Sequence, residues 1–219
     1  MDAIEFWRWI HILLFVFWLG ADVGVFICGS WVRRESLSPE QRMVLLQASA
    51  VVDLWPRVCA ALMLPAGLML ARNWNPALET GWIIGGWAAA ALWLALTFLG
   101  LRHMGKPLGV TLGHVTNVFL LLLCGACLAG GWAWLQSDYS PGAWLGTKLM
   151  LYAGVCLLAI GIDFMFRPVI RGFGLLTDAA QRSTANTLIR DGMNRTLLVV
   201  ATLYAVLLIA SFLGVAKPF

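Results

Sequence analysis

Charge is what this chain has least of. Of its 219 residues, 12% are Asp, Glu, Lys or Arg, roughly half the share found in an ordinary soluble domain. That shortage, with 61% hydrophobic residues and a mean hydropathy of +0.83, excludes a water-soluble globule. No basic stripe forms either: the net charge of +4 comes from residues scattered over short loops, which argues against a nucleic-acid partner. Cysteine is missing from the loops. Cys28, Cys59, Cys124, Cys127 and Cys156 all fall inside apolar runs, so no loop disulfide framework is available. Nucleophile elbow, phosphate loop, HExxH and H-x-E patterns are absent, which removes support for hydrolase and nucleotide chemistry. The opening segment MDAIEFWRWIH lacks a basic n-region and is followed by no small-residue cleavage site. Its apolar run is expected to stay as a first helix.

What is present is a series of nearly charge-free runs, each long enough for the roughly 20 residues that a membrane-crossing helix needs. Six spans are expected, about 6 to 30, 54 to 71, 81 to 101, 109 to 135, 143 to 166 and 195 to 215. The fold class is therefore all-α, a polytopic transmembrane helical bundle forming one domain over 1 to 219. The 12 Trp residues suit interfacial aromatic belts. Ser38-Pro39-Glu40-Gln41 combines an N-cap, a proline at the first helical position and a capping-box partner. A helix should start there and kink at Trp55-Pro56 into the second span. Segment 167 to 194 mixes Arg167, Arg171, Arg182 and Arg190 with Leu175, Leu176, Leu188 and Ile189, a composition suited to a helix lying among headgroups.

Loops 31 to 52 and 102 to 108, with 167 to 195, hold ten Lys and Arg residues against three in the remaining loops and termini. The positive-inside rule then places both termini outside, and a bacterial inner (plasma) membrane is the expected location. Arg57 and Lys148 fall inside spans, where ionisable residues mark functional sites or internal partners.

On the first helix, His11, Trp18 and Asp22 lie within about 20° of one line, because seven and eleven residues advance nearly whole numbers of turns. A face carrying an imidazole and a carboxylate must look into the bundle. His11 is expected about one turn below the outer surface, with Lys148 at similar depth. Asp22 and Arg57 are expected in the inner half, joined as an interhelical ion pair, with Asp53 competing for Arg57 at i and i+4. His11 reads either as a hydrogen-bonded interfacial histidine or as an axial haem ligand. Lys148 either snorkels to headgroups, ligates iron, holds a propionate or passes protons. His103 and His114 match no short metal-ligand spacing and read as interfacial. Cys124-Gly-Ala-Cys127 reads as small packing residues, being about midway through a span where thiolate formation is disfavoured.

Four stretches, in order along the chain, resemble the HemJ-type membrane proteins, which are related to CopD-like bundle families. They are Trp9-Ile10-His11 through Trp18 with Gly20-Ala21 behind it, Arg57 followed by Leu64-Pro65-Ala66-Gly67, Trp144-Leu145-Gly146-Thr147-Lys148-Leu149, and Asn194 before the last helix. The resemblance implies a small helical bundle binding b-type haem and oxidising protoporphyrinogen IX, with the first-helix histidine and the third-helix lysine as functional positions. They carry over to His11 and Lys148. Arg195 and Thr196 stand where the family has an acidic residue and proline, and the stretch from about 80 to 135 adds a helix pair.

The resulting expectation is a haem b protein passing electrons from a hydrophobic reductant, such as a porphyrinogen, to quinone. His11 would be the metal ligand and Lys148 the catalytic or second ligating group. Trp18, Arg57 and Asn194 would complete the cofactor-binding set, with Asp22 anchoring helices. Two rivals are a CopD-like permease passing copper by His11, methionines and the Cys124/Cys127 pair, and a non-catalytic membrane subunit anchoring a partner. A homodimer is compatible with each.

Overall fold

A computed structural model describes residues 2–74, 78–136 and 142–217. Seven helices follow one another: α1 (Ala3–Val32), α2 (Pro39–Val52), α3 (Leu54–Trp74), α4 (Thr80–Arg102), α5 (Pro107–Leu135), α6 (Gly142–Leu175) and α7 (Arg182–Ala216). No strand occurs among the described residues. The chain is an all-α polytopic bundle, with six helical stretches long and apolar enough to cross a membrane, the second joining α2 to α3. Large apolar side chains such as Val16, Leu122 and Leu198 are 55%, 69% and 70% exposed, which suits a lipid-facing surface and not one bathed in water.

Local signals set the helix ends. Asp2 accepts from the Glu5 amide at 2.7 Å while Glu5 reaches back to the Asp2 amide, a capping box that starts α1. Ser38 and Gln41 do the same for α2, with Pro39 at the first helical position. The expected kink at Pro56 falls earlier: α2 ends at Val52, Asp53 caps it and α3 begins at Leu54. Pro56 then sits in the first turn of α3, where its missing N–H removes no helical bond.

The six spanning helices close into a ring. α1 packs on α3, α3 on α4, α4 on α5, α5 on α6 and α6 on α7, and α7 returns to α1. Across the ring the Tyr152 hydroxyl donates to the Ala60 carbonyl at 2.8 Å, joining α6 to α3. The Tyr204 hydroxyl donates to the Asp22 main-chain carbonyl at 2.8 Å, joining α7 to α1. Between them a core that includes Trp18, Cys59, Trp93, Cys124, Cys127 and Cys156 draws on all six helices. The four cysteines in it are buried and unbridged, as packing residues would be.

Backbones come closest where glycine leaves room. A Cβ on Gly146 would lie 2.7 Å from the Gly131 carbonyl oxygen, so α5 and α6 touch main chain to main chain.

Segment 167 to 194 departs from the interfacial helix expected of it. α6 runs on through Pro168 to Leu175, a short turn follows, and α7 starts at Arg182. At 34 residues α6 is about 51 Å long, well beyond the ~30 Å hydrocarbon layer. The overhanging ends of α6 and α7 pack on each other through Val169, Phe173, Leu176, Ala185 and Ile189, and Val32 of α1 joins them. Leu175, Leu176 and Ile189, which looked suited to headgroups, pack in this helix–helix cluster instead.

Candidate functional site

His11 lies eight residues into α1 and Lys148 six residues into α6, about 12 Å and 9 Å along their helices. Because successive spans alternate in direction, the ends of α3 and α7 come to the same end of the bundle as these two starts. Gly67 of α3 and Gly214 of α7 supply the room. A Cβ on Gly67 would meet His11 Cε1 at 3.4 Å and Nδ1 at 3.9 Å. A Cβ on Gly214 would lie 2.9 Å from Lys148 Nζ, close enough that the lysine would have to swing away. The two cationic-capable groups are within electrostatic reach of one another.

The His11 Nδ1 atom is buried and has no hydrogen-bond partner among the described residues. An orphaned imidazole nitrogen costs about 1 to 3 kcal/mol when left dry, and most histidine ligands or structural histidines engage both ring nitrogens. Lys148 Nζ lies 5.9 Å from the centre of the Trp144 ring, and Lys217 Nζ lies 5.7 Å from the same ring. Trp144 itself is buried, so its indole holds two amines near one end of the bundle through cation–π attraction. Trp18, two turns along α1 on the His11 face, is 3% exposed and forms the floor beneath this site as part of the central core.

The other residues expected at the site lie elsewhere. Asn194 accepts a hydrogen bond from Arg33, at the far end of α1, about 33 Å of helix from His11. One cofactor cannot touch both, so Asn194 ties α7 to the end of α1. The interhelical ion pair expected between Asp22 and Arg57 does not form. Arg57 bonds Asp53 at 2.6 Å, one turn back on its own side of the bundle, because an i,i+4 partner needs no reach across the gap between helices.

Arg57 nevertheless looks into the ring. It is half exposed, and Asp22 on α1 and Asp163 on α6 both act on it electrostatically. Asp163 also accepts from Asn117 of α5 and from Arg167, each at 2.9 Å. A polar cluster therefore occupies the opposite end of the bundle from His11 and Lys148, with the apolar core between. Asn117 and Asp163 were not singled out from sequence. Their signal was a carboxylate and an amide late and early in two apolar runs, which pair only when α5 and α6 are placed together.

His103 Nδ1 lies 2.9 Å from the Leu99 carbonyl of its own helix, and His114 is exposed. Neither joins His11. No group of three or more His, Cys, Asp or Glu side chains placed to hold a metal ion occurs among the described residues. No family model, curated protein or solved structure matches the chain.

A haem would need one nitrogen ligand, a second ligand or none, and a positive group for its carboxylates. The residues fit that demand in kind: His11 offers an unpartnered nitrogen beside a glycine, and Lys148 offers an amine on a facing helix.

Proposed function

We propose that this chain is an integral membrane redox protein that binds b-type haem between α1, α3, α6 and α7, with His11 as the residue that would hold its iron. The observation that supports this reading is the buried His11 Nδ1 without a partner among the described residues, set against Gly67, with Lys148 close enough to act on it electrostatically. When bound, haem supplies a one-electron couple whose potential follows its axial ligand and burial.

The chain's own residues have defined tasks in this reading. His11 presents a ring nitrogen from a helix whose position Gly67 sets. Lys148 Nζ either pairs with a propionate carboxylate or hands a proton to and from the substrate side, and Gly214 leaves the room that this amine occupies. Trp18 and the core beneath it exclude water from below. Arg57 and Asn194 take no part in this site.

The likeness of the four sequence stretches to HemJ-type proteins points to a porphyrinogen as reductant, and quinone is the acceptor proposed with it, both hydrophobic molecules that reach such a site from the bilayer. Haem content per chain in the purified protein and in His11→Ala tests the reading. Wild type should carry haem and the variant should insert normally yet lose it or change its spectrum. Equal haem and identical spectra in the two would overturn the assignment of His11.

A further inference from the structure

The overhanging end of the bundle contains a group that neither the fold nor the redox reading uses. Arg42 of α2 is 2% exposed. Its Nε donates to the Val32 carbonyl at 2.7 Å and one terminal nitrogen donates to Asn186 Oδ1 at 2.8 Å. The other terminal nitrogen is buried with no hydrogen-bond partner among the described residues. No carboxylate lies within ion-pair distance of this guanidinium among the described residues, and its nearest aromatic contact is the Phe173 ring at 5.9 Å.

A buried, unpaired guanidinium is costly unless something negative sits beside it. Arg42 borders a cavity of about 320 Å³ whose other walls include Ser36, Ser38, Arg182, Asn186 and Glu35. Asn186 has given its Oδ1 to Arg42, which leaves its amide hydrogens to donate. The first turn of α2, capped by Ser38, adds the positive end of a helix dipole. Glu35 bonds Arg190 at 3.3 Å and also attracts Arg42 from beyond ion-pair distance. Glu40 holds the Ser38 hydroxyl at 2.7 Å and feels Arg182. Arg190 also bonds Asp191 at 3.3 Å, and among the charged residues that line the cavity itself two arginines, Arg42 and Arg182, stand against the single carboxylate of Glu35.

We propose that this cavity binds a phosphate group, with Arg42 as its buried anchor, Arg182 as its outer clamp and Asn186 as a neutral donor. Guanidinium groups match phosphate oxygens in pairs. The volume admits a phosphomonoester or the headgroup of a phospholipid, and at the overhanging end of a membrane bundle either source can reach it.

Melting of the full chain in non-ionic detergent, stripped of lipid, separates the possibilities. The additions are inorganic phosphate, short-chain phosphatidylglycerol, and chloride at equal ionic strength. The proposal expects phosphate, the lipid or both to raise the midpoint by several degrees and chloride not to. A response to phosphate alone assigns a soluble phosphate ligand, and a response to the lipid alone assigns a headgroup. Arg182→Gln changes an exposed side chain, so its midpoint without additives should equal wild type, while binding weakens about tenfold from loss of a charge-assisted bond. No rise with either phosphate compound, or the same rise in Arg182→Gln, overturns the proposal. Arg42→Gln also removes the bond to Val32, so its loss of binding counts only alongside the Arg182→Gln result.

Discussion

Tyr152 on α6 donates its hydroxyl to the main-chain carbonyl of Ala60 on α3 across 2.8 Å, and so ties together two helices that the α4–α5 pair separates along the chain. The bond lies one turn past Lys148 on α6 and about two turns before Gly67 on α3. It therefore sets the spacing between the helices that carry the two halves of the site.

Tyr152→Phe keeps the ring in the core and removes only that donor. Interhelical hydrogen bonds in membrane proteins contribute about 0.6 kcal/mol on average, so a small loss of stability is expected with haem still bound. Unfolding in mixed micelles, followed by circular dichroism, checks the size. A collapse of the bundle would mean that the tyrosine does more than bridge α3 and α6.

Gly67 is the more sensitive position. A Cβ there would meet His11 Cε1 at 3.4 Å, a contact that alanine just tolerates. Valine adds two methyl groups where the imidazole lies. Gly67→Ala should keep a near wild-type spectrum, and Gly67→Val should shift the haem bands or lower haem content by displacing His11. Absorbance and pyridine haemochrome quantification of the two purified variants decide it.

Lys148 should separate binding from turnover. If its amine moves protons, Lys148→Ala keeps haem and slows turnover with a porphyrinogen about a hundredfold, within the range for loss of a general acid or base. Stopped-flow reduction and steady-state turnover, measured on protein of known haem content, give both numbers. A changed axial-ligand signature in the variant would instead assign Lys148 to the iron.

Gly146 and Gly131 bring α5 and α6 into main-chain contact. With the Gly131 carbonyl oxygen 2.7 Å from where a Cβ on Gly146 would sit, even Gly146→Ala forces α5 and α6 apart. A destabilisation of about 1 to 3 kcal/mol is expected, the usual cost of overpacking. Gly154 on the same helix has nothing within 4 Å of its Cβ position, and Gly154→Ala serves as the neutral comparison. Thermal unfolding of both variants provides the contrast.

Asn194→Ala should leave any haem spectrum untouched, since its partner Arg33 stands at the far end of α1 from His11. The sequence resemblance alone had grouped the two residues.

The spans were readable because hydropathy reports burial in lipid directly, and the Ser38 capping box was readable because its partners are three residues apart. Segment 167 to 194 was misjudged for a physical reason. An apolar stripe on a helix looks the same whether it meets headgroups or another helix, and Val169, Phe173 and Ile189 meet each other. Arg57 illustrates the same limit: charge and depth named both Asp22 and Asp53 as partners, but only the placed helices choose Asp53. The convergence of His11 and Lys148 followed from counting alternate spans. Gly67 and Gly214 could not be assigned to them, because a glycine's role depends on the side chain that a different helix brings to it. Arg42 looked like one more loop charge, although Leu45, Leu46 and Ser49 at i+3, i+4 and i+7 mark it as part of an inward face.

The most direct test is an absorption spectrum of the protein purified in mild detergent from haem-replete cells, oxidised and dithionite-reduced, with haem measured per chain. A reduced b-type spectrum near stoichiometric haem, lost or altered in His11→Ala, is the result this account predicts. Protein without haem that also fails to take it up on reconstitution would contradict it.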